Sequence, residues 1–333
     1  MPKIALVTGS TGFMGSNLCR ALLASGYQVR AFHRSGSSLK LLAGLDVEHA
    51  LGDVTQADTL VTALKGAEVV FHAASKVDYW RGGGGMYAVT VGGTQNVARA
   101  ALEAGVQRLV YTSSVASLGI PEPIRGKRGA AGLMNENHVW NYRPAWWRYG
   151  HAKHLAEMEI QKAVAQGLDA VIVNPSMVLG PGDANRISGE IVIQVSRGIV
   201  RFGIGGGVNA IHIQDAVRGH ILALERGRTG ERYILGGENH SYLDFIQTTA
   251  DVVGVRPPKS ILPSWLLRPL AGPLDILCQL VPMPFNGDLL RFSGRYLYYD
   301  TQKAQQVLGL TALHSVRMAI QEAYEWYKAE GMV

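Results

Sequence analysis

The sequence predicts an α/β fold, a doubly wound parallel sheet carrying a smaller C-terminal region. Three observations lead there. Strand-like and helix-like patterns alternate through the first half of the 333 residues, which is the order that covers both faces of a parallel sheet. A glycine-rich loop joins the first strand pattern to the first helix pattern. The regular alternation then stops after Pro175.

The elements follow in order. Residues 3–8 form an apolar, β-rich run, and residues 12–25 place Phe13, Leu18, Ala21 and Leu22 at helical spacing. Residues 27–33 and 47–51 read as the second and third strands, residues 55–65 as a helix and residues 68–73 as the fourth strand. A long helix over 86–104 stops at Gly105, a suitable C-terminal residue. Residues 108–113 are the fifth strand. A helix over 147–166 ends at Gly167, and residues 169–175 are the sixth strand. Such a βαβαβ order belongs to nucleotide-binding sheets. Beyond it, residues 188–197, 213–225, 242–253 and 315–328 look helical between loops rich in Gly and Pro. The expected division is a dinucleotide-binding unit over 1–175 and a mainly substrate-facing region over 176–333 that partly returns to the sheet.

Composition narrows the classes. Lys and Arg number 32 and Asp and Glu 26, a net charge of +6, and charged residues make up only 17% against 47% apolar. A disordered chain needs the opposite balance. The basic residues form no concentrated stripe and no recognition motif, so no nucleic-acid partner is expected. Cys19 and Cys278 give neither a disulfide framework nor metal-ligand spacing, and no metal is expected. The first residues run straight into a strand with no leader pattern, so a reducing, cytoplasmic setting is the expectation. Residues 261–284 are apolar but contain Arg268, Asp275 and five prolines. They read as short broken helices over an apolar pocket rather than a membrane span, with peripheral contact to a bilayer as the alternative.

Thr8-Gly9-Ser10-Thr11-Gly12-Phe13-Met14-Gly15 is a Gly-x-x-Gly-x-x-Gly loop between a strand and a helix, the context a dinucleotide fingerprint requires. Gly9 permits the tight turn, Gly12 admits the pyrophosphate to backbone N–H groups, and Gly15 lets the helix lie close on the sheet. The helix N-terminus offers free donors and partial positive charge. No carboxylate ends the second strand. Arg34 stands there instead, with His33, Ser35 and Lys40 nearby, so a 2′-phosphate is favoured and NADP(H) is expected over NAD(H). Asp53 and Val54 are expected at the adenine, although Asp53 also suits a turn.

Ser114 closes the fifth strand, and Tyr149 and Lys153 are spaced i, i+4 on one helix face. A phenol is a poor base at neutral pH, and an ammonium one turn away favours its ionised form. Tyr149 is thus expected to exchange a proton with a substrate oxygen that Ser114 holds.

Several pieces, in order, resemble the extended short-chain dehydrogenase/reductase family: TGSTGFMG (8–15), GDV (52–54), FHAAS (71–75), GGTQNV (92–97), RLVYTSS (108–114), YGHAK (149–153), NPSMVLGPG (174–182) and IHIQD (211–215). DTQKAQQVLGL (300–310) and WYKAEG (326–331) are also similar to this family. The nearest likeness is to dihydroflavonol reductase-like and 3β-hydroxysteroid dehydrogenase-like members, and residues 219–239 also resemble hopanoid-associated sugar epimerases. The resemblance implies a Rossmann-type fold, catalysis by Ser114, Tyr149 and Lys153, and Ala73 and Pro175 beside the nicotinamide. The same segments supply the other expected cofactor contacts: Thr11, Phe13, Met14, Ala74, Ser75, Thr112, Asn174 and Val178. It further implies a homodimer through the helices 86–104 and 149–166. Thr90 stands where the family often has Asn, which puts that group's water relay in doubt.

Trp80, Trp140, Trp146 and Trp147, with Tyr79 and Tyr142, fall in segments expected to flank the site. Rings there favour an apolar or aromatic substrate, with Ser176 as a polar contact. The four glycines 82–85 would make a flap or a tolerant loop, Arg125, Lys127 and Arg128 a solvated basic loop, and His212 a structural group. The leading expectation is a ketone/alcohol oxidoreductase. A sugar-nucleotide epimerase or dehydratase is the alternative, needing a diphosphate clamp from Arg186, Arg197, Arg201 or Arg218. A dinucleotide-sensing protein without turnover is the third reading.

Overall fold

The computed structural model describes residues 3–77, 85–122, 132–280 and 287–333. Six strands come first: β1 (Ile4–Thr8), β2 (Gln28–His33), β3 (Val47–Leu51), β4 (Val69–His72), β5 (Arg108–Thr112) and β6 (Ala170–Pro175). Between them lie α1 (Phe13–Ala24), α2 (Ala57–Ala63), α3 (Gly93–Glu103) and α4 (Arg148–Ala165). The period of two in β1 sorts its side chains between two cores. Ala5 and Val7 pack with Leu18, Cys19 and Leu22 of α1. Leu6 packs on the other face with Leu60, Val97, Ala101, Ala156 and Ile160 of α2, α3 and α4.

After β6 come β7 (Met177–Leu179), α5 (Glu190–Ser196), β8 (Gly203–Ile204), β9 (Gly206–His212), α6 (Ile213–Arg226) and β10 (Arg232–Leu235). β10 joins the main sheet, whose order is β10-β6-β5-β4-β1-β2-β3, every pairing parallel. The order turns outward in both directions from the β1–β4 boundary, the switch point where such sheets bind ligands beyond their carboxyl ends. The remaining elements are β11 (Glu238–Ser241), α7 (Tyr242–Val253), β12 (Ile261–Leu262), α8 (Ser264–Leu267), α9 (Ala271–Leu280), α10 (Gly287–Phe292), β13 (Arg295–Tyr296) and α11 (Val316–Ala329). β7, β9, β11 and β13 make a second sheet, and β12 pairs with β8. Ser241 and Ser315 cap α7 and α11 by accepting from Asp244 N and Met318 N.

One local reading changes and another holds. The helix expected over 86–104 begins with a π-helical turn, Ala88–Gly92, before α3. The Thr94 hydroxyl donates to the Thr90 carbonyl at 2.6 Å, which competes with the regular ladder there. The apolar stretch 261–284 is broken as expected where described: α8 passes through a 3-10 turn at Arg268–Leu270 into α9. Among the described residues no helix is long and apolar enough to cross a membrane. Tyr79, Trp80, residues 82–84, Arg125, Lys127 and Arg128 lie outside the described residues, so the readings made for them are not placed.

Candidate active site

The glycine loop is built around contacts that only glycine allows. Gly9 has φ +69°, and a Cβ there would lie 2.7 Å from Ala74 N. A Cβ on Gly15 would lie 2.1 Å from the Gly9 carbonyl oxygen. Gly12 N donates to that same oxygen at 2.9 Å. The loop therefore folds against Ala73 and Ala74 while α1 lies close upon it. Gly12 brings no side-chain cap to α1, and the first turn of α1 holds no acid. Thr11, Phe13 and Met14 line this turn half-buried. At the end of β2, Arg34 is exposed. His33 is buried, its Nε2 3.0 Å from His49 Nδ1. Lys40 reaches instead to the Glu330 carboxylate at the end of α11. Asp53 Oδ1 accepts from Thr55 N and Thr55 Oγ1 at 2.9 and 2.8 Å, the turn role, while Val54 is buried against Gly93.

Ser114 and Tyr149, 35 positions apart in the chain, meet side by side. The Ser114 hydroxyl is hydrogen-bonded to the Tyr149 phenol and accepts from Ala116 N at 3.2 Å. Ser113, the neighbouring hydroxyl, turns away and donates to Glu157 Oε1 at 2.5 Å. Lys153 follows Tyr149 by one turn of α4, is buried, and donates from Nζ to the Thr112 carbonyl at 2.8 Å. The expected influence of its charge on the phenol differs in kind. Burial pushes Lys153 down to about 7, so much of its charge is lost near neutrality. Burial raises the Tyr149 phenol, and only the Ser114 hydrogen bond pulls it down. Tyr149 therefore stands as a neutral phenol, a proton donor.

Of the groups that hold this pair, Glu157, Ser117, Arg232 and His220 were not foreseen. Glu157, one turn beyond Lys153, accepts at Oε1 from Ser113, Ser117 and Asn174 Nδ2 and at Oε2 from Arg232. Asn174 Nδ2 also donates to the Ser114 carbonyl at 3.1 Å. Thr112 Oγ1 lies 2.9 Å from His220 Nε2. Thr90 is buried, with its hydroxyl 3.4 Å from Ser75 Oγ. Only the Tyr-x-x-x-Lys-x-x-x-Glu spacing could have drawn attention to Glu157. Val178, expected at the cofactor, packs in the core with Ile211 and Ile213.

Aromatic side chains gather beside Tyr149. Trp147 packs edge-on against Phe292 at 4.6 Å, and Tyr142 lies 6.1 Å from Phe292. Trp140 lies 6.1 Å from Trp147, and a Cβ on Gly150 would strike both indoles. Trp146 is more exposed, beneath the Arg143 guanidinium. Phe292 was not foreseen. The proposed diphosphate clamp is largely committed elsewhere. Arg186 pairs with Glu190, Arg197 donates to the Met332 carbonyl, and Arg218 donates to Asp215 and the Thr311 carbonyl. His212 is buried, caps α6 by accepting from Gln214 N and lies 3.0 Å from Glu322.

Comparison with known proteins decides the family. The model of the NAD dependent epimerase/dehydratase family matches residues 5–236. The chain belongs to this family. Across all of this family member and 97% of the relative, it is 36% identical to a Synechocystis sp. protein provisionally named a dihydroflavonol 4-reductase. It is 32% identical to sterol demethylase protein B of Methylococcus capsulatus, over 98% of this chain and 99% of that one. The crystal structure of gox2253 superposes with a TM-score of 0.85 at 33% identity, covering 99% of each chain. The chain is thus an extended short-chain dehydrogenase/reductase-type enzyme, a class working with a nicotinamide dinucleotide.

The residues present fit that group. Beside the pinched glycine loop, two buried polar atoms at the end of β6, Asn174 Oδ1 and Ser176 Oγ, have no hydrogen-bond partner among the described residues. A buried polar atom left so costs about 1–3 kcal/mol, which a bound polar group relieves.

Proposed function

We propose that this enzyme interconverts a ketone and a secondary alcohol on an apolar or aromatic small molecule, with NADP(H) as cofactor and Ser114, Tyr149 and Lys153 at the reacting centre. The observation that carries the reading is the Tyr149 phenol, hydrogen-bonded to Ser114 and packed beside the Tyr142–Trp147–Phe292 wall. The loop 9–15, the N-terminus of α1, Ala73–Ser75 and the end of β6 would hold the dinucleotide, and Arg34 its 2′-phosphate. When bound, the dinucleotide supplies or takes up the hydride.

The chain's own residues handle the oxygen and its proton. Ser114 orients the carbonyl oxygen and stabilises developing negative charge. Tyr149, kept neutral by burial, donates the proton that completes the alcohol, and takes it back in the reverse direction. Lys153 restores charge balance beneath the phenol, and an anionic ligand nearby favours its ammonium form. The aromatic wall excludes water and recognises a flat apolar skeleton. A sterol-type or polycyclic ketone is the substrate class that suits it. The sugar-nucleotide alternative loses support because Arg197 and Arg218 donate to backbone carbonyls elsewhere and Arg186 pairs with Glu190.

The test is NADPH consumption with a panel of polycyclic and aryl ketones. Tyr149→Phe is expected to lower kcat by about 10²–10⁴-fold with little change in cofactor affinity; turnover unchanged in that variant removes the assignment. Arg34→Glu is expected to shift the preference from NADPH toward NADH, since a guanidinium–phosphate pair becomes a repulsion. An unaltered preference would sink the NADP(H) reading.

A further inference from the structure

The segment from α8 to α9 is an amphipathic helix turned inside out. The backbone stays helical through the 3-10 turn, with Leu267, Arg268 and Ala271 all in the right-handed region. On a helical projection of 100° per residue, Trp265, Leu266, Leu270, Ile276 and Leu277 fall within an arc of about 140°. An arc of that width normally faces a core. Here it is the exposed one: Trp265 is 75% and Ile276 64% accessible. The buried side chains of the same helix, Leu267 and Ala271, lie on the other side. Strand β12 precedes the helix, and its pairing with β8 brings exposed Ile261 beside exposed Phe202. Exposed apolar side chains grouped on one side of a helix and its adjoining strand mark an interaction site.

Charge and position identify the occupant. From Val252 to Leu274 the chain has Arg256, Lys259 and Arg268 and no acid, and these three cations are exposed, as is Arg201 next to Phe202. Asp275, the one acid of residues 264–280, is neutralised by Arg291 of α10. An apolar stripe led by a tryptophan and rimmed by cations is the composition of a helix lying in the headgroup region of an anionic bilayer. The inner side of the same unit reaches the site. Arg268 Nε donates to the Ser293 carbonyl at 2.9 Å, and Phe292, the residue before it, packs on Trp147 beside Tyr149.

We propose that the α8–α9 helix docks this enzyme on the surface of an anionic membrane, which would place the neighbouring aromatic wall close to a lipid-soluble substrate. The docking stands on the surface alone; its use for substrate delivery rests on the function proposed above.

The test is flotation of the full chain with vesicles of phosphatidylcholine, with and without phosphatidylglycerol. The expected result is flotation with the anionic vesicles, weakened by salt, and reduced about tenfold in Trp265→Glu/Ile276→Glu. No flotation at either composition overturns the proposal, as does equal flotation of the variant. Loss of a self-associated species in the variant, without vesicle binding by the native chain, also overturns it and assigns the patch to a second copy. Hydrogen exchange on the native chain guards against a misfolded variant: vesicles should protect residues 261–277, and protection confined elsewhere refutes the docking. Flotation reads no turnover, so it fails or succeeds independently of the reductase assignment. NADPH consumption with a water-soluble ketone checks the latter in the same variant.

Discussion

Glu157 carries more of the candidate site than any residue the sequence singled out. Its carboxylate gathers Ser113, Ser117, Asn174 and Arg232, and three of these bracket Ser114 in the chain or bond its carbonyl. Its negative charge also opposes the burial that drives Lys153 down to about 7. Hydrogen bonds to an ionised acceptor are about twice as strong as neutral ones, so the charge fixes the turn and holds the Lys153 ammonium to a higher pH than burial alone would allow. Glu157→Gln preserves volume and removes the charge. Lys153 then loses its proton at lower pH, and the alkaline limb of kcat/KM moves toward acid. At neutral pH the expected loss is about tenfold, recovering as pH is lowered. A purely structural role predicts equal loss at every pH, so the profile separates the two.

At the scale of elements, legibility followed sequence distance. The loop between β1 and α1, the run of six parallel strands and the Tyr149–Lys153 spacing on α4 are local patterns, and periodicities of two and 3.6 expose them. The charge state of Lys153 was not legible, because it depends on how deeply α4 packs against β5. Glu157 gathers partners from β5, β6 and β10, which only the sheet order 10-6-5 brings together. Phe292 meets Trp147 across 145 positions of chain, and His220 reaches Thr112 across 108. The arginines offered for a diphosphate clamp looked free because their carbonyl partners, at Met332 and Thr311, carry no sequence signature. Backbone acceptors of this kind are invisible until the termini are placed. Apolar character at 261–277 was plain, but which side of the helix met solvent was decided by Leu267 and Ala271 packing inward.

For the whole molecule, two buried histidines tie the fold to pH. His72 bridges Thr8 of β1 and Thr94 of α3, at 2.7 and 3.0 Å. His220 bridges Thr112 of β5 and the Ala216 carbonyl of α6, at 2.9 and 2.7 Å. Each thus joins the central sheet to a helix, one on either face. Burial lowers His72 to about 3 and His220 to about 4, whereas an unfolded chain titrates each near 6.5. Between those values the unfolded state binds more protons, so stability falls as pH falls. The contribution of each of these histidines is fully present above about pH 6.5 and falls by up to about 1.4 kcal/mol per pH unit below it, until the folded value is reached. Most carboxylates remain ionised over the upper part of that window, so the loss between pH 6.5 and 5 reports the histidines. Denaturant unfolding across this interval should give a steep slope for the native chain and a shallower one for His72→Gln or His220→Gln, whose amides can still bridge but do not ionise. Identical slopes in all three proteins would mean that neither imidazole resists protonation, and that these bridges between sheet and helices tolerate charge.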